Sequence, residues 1–143
     1  MATVLDVADY ILKNSGSMTA MKLQKLCYYS QAWHLVWEEH PLFRGKIQAW
    51  ANGPVSPALY REHRGQFRLK RGDINGDWRK LSDSERESID AVLKFYGGRT
   101  AQWLSELTHK ERPWLEAREG LGPGERGEVE IKHAAMAEYY ESL

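Results

Sequence analysis

The chain predicts a mainly α fold: one compact helical domain of about six helices, spanning residues 1–143, with room for a small β-hairpin near residues 45–55. Three observations carry this. Apolar residues return at three- and four-residue spacing in several segments, most fully across residues 19–37. Helix-start chemistry stands ahead of such segments, as Ser56-Pro57 and as Ser82 with Glu85 three positions later. Period-two alternation is confined to a short run, Ile47-Gln48-Ala49-Trp50-Ala51.

Taken in order, Val4, Val7, Ala8, Ile11 and Leu12 fall on one stripe of a first helix, which Asn14-Ser15-Gly16-Ser17 ends. In the second, Leu23, Leu26, Cys27, Ser30, Trp33, His34 and Trp37 share one face, and Tyr28, Ala32 and Leu35 another. A helix apolar on two sides belongs at the centre of a bundle. Pro41 lies beyond its end. Asn52-Gly53-Pro54 reads as a turn, because a proline biases the residue before it away from the α region. Ser56 then caps, and Pro57 opens, a third helix directed towards Gly65.

Gly53 permits a close or left-handed turn, and Pro54 and Pro57 fix φ on either side of Val55. "NGPVSP" is therefore expected to be a rigid elbow over Trp50 and Val55, aiming the helix that carries Tyr60, Arg61, Arg64 and Arg68. Residues 65–80 are expected as an exposed excursion tipped by "RGDINGDW". Ile89, Val92, Leu93 and Tyr96 line a fourth helix that stops at Gly97-Gly98. Thr100 caps a fifth, with Trp103, Leu104 and Leu107 inward. Pro113-Trp114 opens a short helical turn, "EGLGPGERGE" is a flexible loop, and residues 131–140 form the last helix.

The 20 basic and 20 acidic side chains cancel. That argues against a general nucleic-acid or membrane-surface binder. The balance is uneven, however: residues 61–80 carry 7 basic against 3 acidic groups (+4), and residues 81–143 carry 8 against 13 (−5). This split suits a charge-complementary protein partner, or pairing between the two halves of the molecule. A single cysteine, Cys27, excludes an internal disulfide. There is no basic leader before the first apolar stretch and no run near the ~20 apolar residues of a membrane span. The expectation is a cytoplasmic protein.

Several motifs weaken on inspection. Residues 122–127 spell G-x-G-x-x-G, but no strand precedes them, Pro123 removes a donor, and Glu125, Glu128 and Glu130 would repel phosphate. Asp73-Ile74-Asn75-Gly76-Asp77 resembles the start of a calcium loop, yet its twelfth position is Ser84 rather than glutamate. Arg71-Gly72-Asp73 spells an adhesion tripeptide of no use in a cytoplasmic chain. His34 and Glu38 are spaced as two metal ligands, but no third is apparent, so a satisfied core histidine is the simpler reading. Cys27 reads as a small buried hydrophobe. No nucleophile elbow or acid pair is visible, so neither catalysis nor a cofactor or metal is expected.

The stretch from Arg61 to Arg71 is more informative. Arg61, Arg64 and Arg68 recur at helical spacing, with Tyr60 and Phe67 between them. Arginine with aromatics is the composition of protein-interface hot spots and of RNA-contacting segments, and also of an ordinary solvated helix face. Zero net charge favours a protein partner over nucleic acid.

Three passages together resemble a known family: "MTAMKLQKLCYYSQAWHL" (18–35), "PLFRGKIQAWANGPVSPALYREH" (41–63) and "LSELTHKERPW" (104–114). They look like the Panacea domain of SocA-like antitoxins, often found beside phage genes. The matching positions include Lys22, Leu23, Lys25, Leu26, Tyr28, Tyr29, Trp33, Ala49, Trp50, Gly53, Pro54, Val55, Tyr60, Leu107, Thr108, His109, Pro113 and Trp114.

The resemblance implies a non-enzymatic, largely helical antitoxin that neutralises a cognate toxin by binding it. Toxins paired with the family include alarmone-synthetase-like enzymes that shut down translation. A member of the family acts as an adaptor delivering its toxin to a cytoplasmic ATP-dependent protease, which makes such a protease the second candidate partner. From the residues themselves, the expected toxin-binding surface is Tyr60, Arg61, Arg64, Phe67 and Arg68. The family-motif positions are expected to be mainly structural.

Overall fold

A computed structural model describes residues 1–143. Thr3 opens α1 (Val4–Ser15) through a capping box with Asp6, and Gly16 closes it at a φ of 79°. All five residues of the predicted stripe are buried. β1 (Met18–Thr19) leads directly into α2 (Ala20–Glu38), capped by the Thr19 hydroxyl. The two-sided pattern of α2 has the expected result: Leu23, Leu26, Cys27, Tyr28, Tyr29 and Ala32 are almost wholly out of solvent. α2 is the central helix, and the rest of the chain is laid around it.

A hairpin follows, β2 (Gln48–Trp50) antiparallel to β3 (Gly53–Val55), with Trp50 opposite Gly53 and Gln48 opposite Val55. The turn is Ala51-Asn52, one residue earlier than predicted. The other edge of β2 is filled from far along the chain: Ala49 N–H donates to Val129 O and Ile131 N–H to Ile47 O, each at 2.8 Å. Ser56 caps α3 (Pro57–His63), with Pro57 in its first turn. β4 (Arg68–Leu69) then pairs antiparallel with β1.

A 3-10 turn (Trp78–Lys80) precedes α4 (Asp83–Tyr96), whose Ser82–Glu85 capping box forms as predicted. α5 (Ala101–Thr108) is capped by Thr100, and α6 (Arg112–Ala117) and α7 (His133–Glu141) complete the domain. α1, α4, α5 and α7 all pack on α2. The mainly α prediction stands, with seven helices because the turn at Pro113-Trp114 is long enough to count as one. No helix is long and apolar enough to cross a membrane.

Four expectations are corrected. α3 stops at His63, where Arg64 turns out of the helix and Gly65 takes a φ of 87°, so Arg68 lies on β4 and not on the arginine-bearing helix. Residues 65–80 are not a free excursion. Leu69 and Ile74 are buried, and Asp6 and Asp9 of α1 accept from the backbone of Asp77 (2.8 Å) and Trp78 (3.0 Å). Trp37 and Trp103, expected inward, are 46% and 36% exposed. His34 is only half satisfied: Nδ1 meets the Ser88 hydroxyl at 2.8 Å, but buried Nε2 has no partner.

Candidate partner-binding site at the clamped hairpin

The elbow at residues 52–57 is held from two sides. From α2, the buried Gln24 amide accepts from Ser56 N–H at 2.8 Å and donates to Ser56 O at 3.2 Å, gripping one residue by both its backbone groups. The same amide nitrogen lies 3.0 Å from His63 Nε2. Burial pushes the His63 pKa down, which keeps the ring neutral and its Nε2 free to accept. One side chain thus fixes both the start and the end of α3. Gln24→Leu would leave the Ser56 N–H buried without a partner, while Ser56 O keeps its bond from Tyr60 N–H, and we expect a loss of about 2 kcal/mol in stability, read by urea titration.

From the other side, four consecutive carbonyls of the hairpin are each met by a donor. Arg118 Nη1 reaches Ala49 O at 3.0 Å, Trp114 Nε1 reaches Trp50 O at 2.8 Å, His109 Nε2 lies 3.1 Å from Ala51 O, and Ser105 Oγ donates to Asn52 O at 3.3 Å. A tight turn normally leaves such carbonyls to water. Here α5, α6 and the residue that follows each supply a row of partners. Arg118 also donates to Gly122 O (3.2 Å) and to Glu125 O, and lies over the Trp114 ring at 5.2 Å. The glycine-rich segment predicted as flexible is therefore tied to the hairpin by one buried guanidinium.

Beneath the turn, Lys25 is fully buried and its Nζ has no hydrogen-bond partner. Desolvation pushes its pKa down to about 8. Gly53, at a φ of 125°, sits so close that a Cβ there would be 2.6 Å from Lys25 Cε and 3.3 Å from Thr108 Oγ1. Two motif positions are thereby explained together. The glycine is small because the lysine lies under it.

These constraints hold open a cleft of about 520 Å³ bordered by Trp50, Asn52, Tyr60, Arg64, Arg126 and Glu128. Trp50 and Tyr60 meet edge to face at 4.9 Å, and Trp50 Nε1 donates to Gln48 at 2.8 Å. Of the predicted surface, the structure brings Tyr60 and Arg64 to this cleft. Arg61 is exposed on α3. Phe67, 76% exposed, stands just before β4, and Arg68 lies on that strand, where its guanidinium donates to Ser17 Oγ at 3.3 Å. Sequence reasoning missed Arg126, whose neighbour glycines looked like an unrelated loop.

The remaining motif residues make contacts within the fold. Leu23, Leu26 and Tyr28 fill the core, Val55 and Pro54 are buried under the elbow, and Pro113 starts α6. Trp33 donates to Tyr96 OH at 3.0 Å, and Lys22 Nζ to Gly97 O at 2.7 Å. His34 and Glu38 gather no third His, Cys, Asp or Glu. Burial raises the Cys27 thiol pKa, so it stays protonated, the opposite of what a nucleophile needs.

The fold is thus a helical body carrying a clamped turn beside an aromatic–arginine cleft. The chain belongs to the SocA-like antitoxin family with a Panacea domain, which residues 23–115 match. Antitoxin SocA of Caulobacter vibrioides (strain NA1000 / CB15N) is 28% identical over 132 residues, covering 81% of this chain and 70% of that protein. No solved structure matches.

Proposed function

We propose that this protein is an antitoxin that neutralises a cognate toxin in the cytoplasm by binding it directly, without catalysis. The observation that carries the reading is the hairpin clamp, in which four successive carbonyls are satisfied by side chains to hold a surface cleft in one shape. Preorganisation of this kind lowers the ordering cost of association. Family membership supports the antitoxin role. The contact surface we assign runs from Tyr60, Arg61 and Arg64 around the end of α3 to Phe67 and to Arg68 on β4, where arginines meet acidic groups of the toxin.

The test is co-expression with the product of the neighbouring gene, followed by titration of the purified pair. Stoichiometric neutralisation by the two components alone is expected. If the toxin is inactivated only when an ATP-dependent protease is present, delivery replaces direct neutralisation. Arg64→Glu with Arg68→Glu is expected to weaken the complex by about thirtyfold or more, with the melting curve unchanged. Undiminished affinity in that variant moves the contact elsewhere.

A further inference from the structure

A second surface shares no lining residue with the hairpin cleft. Between α2, α4 and α5 runs a groove of about 510 Å³ whose walls are almost entirely apolar, chiefly Trp33, Trp37, Phe95, Tyr96 and Trp103. Trp37, Phe95, Trp103 and Leu143, half of the large apolar side chains the molecule leaves exposed, border it. Scattered apolar residues need no explanation, but a contiguous set does. The Trp33 and Trp37 rings stack at 5.4 Å, and Phe95 meets Tyr96 edge to face at 4.7 Å.

One polar residue lines this groove, and it is acidic. Glu111 is 5% exposed and takes part in no ion pair. Its Oε1 accepts from Tyr29 OH and Tyr140 OH, both at 2.7 Å, which fixes the carboxyl in place. No protein donor reaches Oε2. Desolvation raises the Glu111 pKa, so the site gains from a cation that restores the charged form. At the rim, the molecule's own Arg99 already lies over Trp103 at 4.5 Å, showing that a guanidinium fits these indoles.

We infer that this groove docks a segment of a partner protein that presents an arginine between apolar side chains, the guanidinium reaching Glu111 and its stem packing on the aromatic walls. A carboxylate at the floor of an aromatic slot matches a planar cation in both charge and shape. The inference does not depend on the hairpin cleft being the toxin contact.

The probe is the blocked pentapeptide Ac-Ala-Leu-Arg-Leu-Ala-amide, beside a twin with citrulline, which has the same shape without the charge. Binding is followed by tryptophan fluorescence and by chemical shifts of groove residues. The arginine peptide is expected to bind at least about tenfold more tightly than the citrulline peptide. Glu111→Gln, which keeps an acceptor for both tyrosines, is expected to erase that preference. Phe95→Ala, at an exposed position, is expected to weaken both peptides alike, and Arg64→Glu neither. Equal binding of the two peptides, an undiminished preference in Glu111→Gln, or no shift at millimolar peptide overturns the inference. So does a concentration-dependent dimer abolished by Phe95→Ala, because a second copy of the chain is then the occupant.

Discussion

Replacing Gly53 with alanine is expected to destabilise the fold by about 3 kcal/mol or more, the sum of a backbone term and a packing term of comparable size. At a φ of 125° an L-residue is strained whatever surrounds it. Here the added carbon also meets Lys25 Cε at 2.6 Å, and that lysine is too deeply buried to swing aside. Gly65, at a φ of 87° with nothing within 4 Å, supplies the comparison: Gly65→Ala carries the strain alone. The difference between the two losses, by denaturant titration, measures the lysine's share. Combining Gly53→Ala with Lys25→Ala should recover that share, as a double-mutant cycle can show.

The second large effect has the opposite sign. Lys25→Met is expected to stabilise the protein by about 3 kcal/mol at pH 7, the free energy equivalent of moving an ammonium pKa from 10.5 to about 8. The sign follows from which form folding disfavours. Below the folded pKa both states carry the charge, and the native one bears the whole desolvation penalty. As pH rises from about 8 towards 10 the native lysine loses its proton first and the penalty fades. The wild-type protein should therefore grow more stable across that window, and Lys25→Met should not. Above pH 10 the trend reverses, because Tyr28, Tyr29 and Tyr140 are buried with raised pKa values and ionise only when the chain unfolds. A flat profile for the wild type between pH 8 and 10 would contradict this account of Lys25.

What could be read in advance was local chemistry. Ser56-Pro57, Ser82 with Glu85, and Thr100 each declare a helix start through their own side chains, and each start is where they put it. The two-sided pattern of α2 placed it at the centre for the same reason: periodicity is a property of neighbours. Arg68 shows the limit. Its spacing from Arg61 and Arg64 fits a helix, but Gly65 and the pairing of β4 with β1 override the period. Gln24, Arg118 and Glu111 were invisible as structural residues. A buried polar side chain resembles a solvated one until the distant groups that satisfy it are known, and their partners are Ser56, the Ala49 carbonyl and Tyr29 with Tyr140.

The carbonyl clamp has a consequence for timing. Residues 49–52 leave the ribosome well before Ser105, His109, Trp114 and Arg118, and before the Val129 and Ile131 backbone that completes the sheet edge. A nascent chain that has just made its hairpin has the Gln24 grip on Ser56 but none of the donors that hold its carbonyls. Competence to capture a partner should arrive abruptly, once the stretch through Ile131 has emerged. Arrested chains of graded length would show a step rather than a ramp.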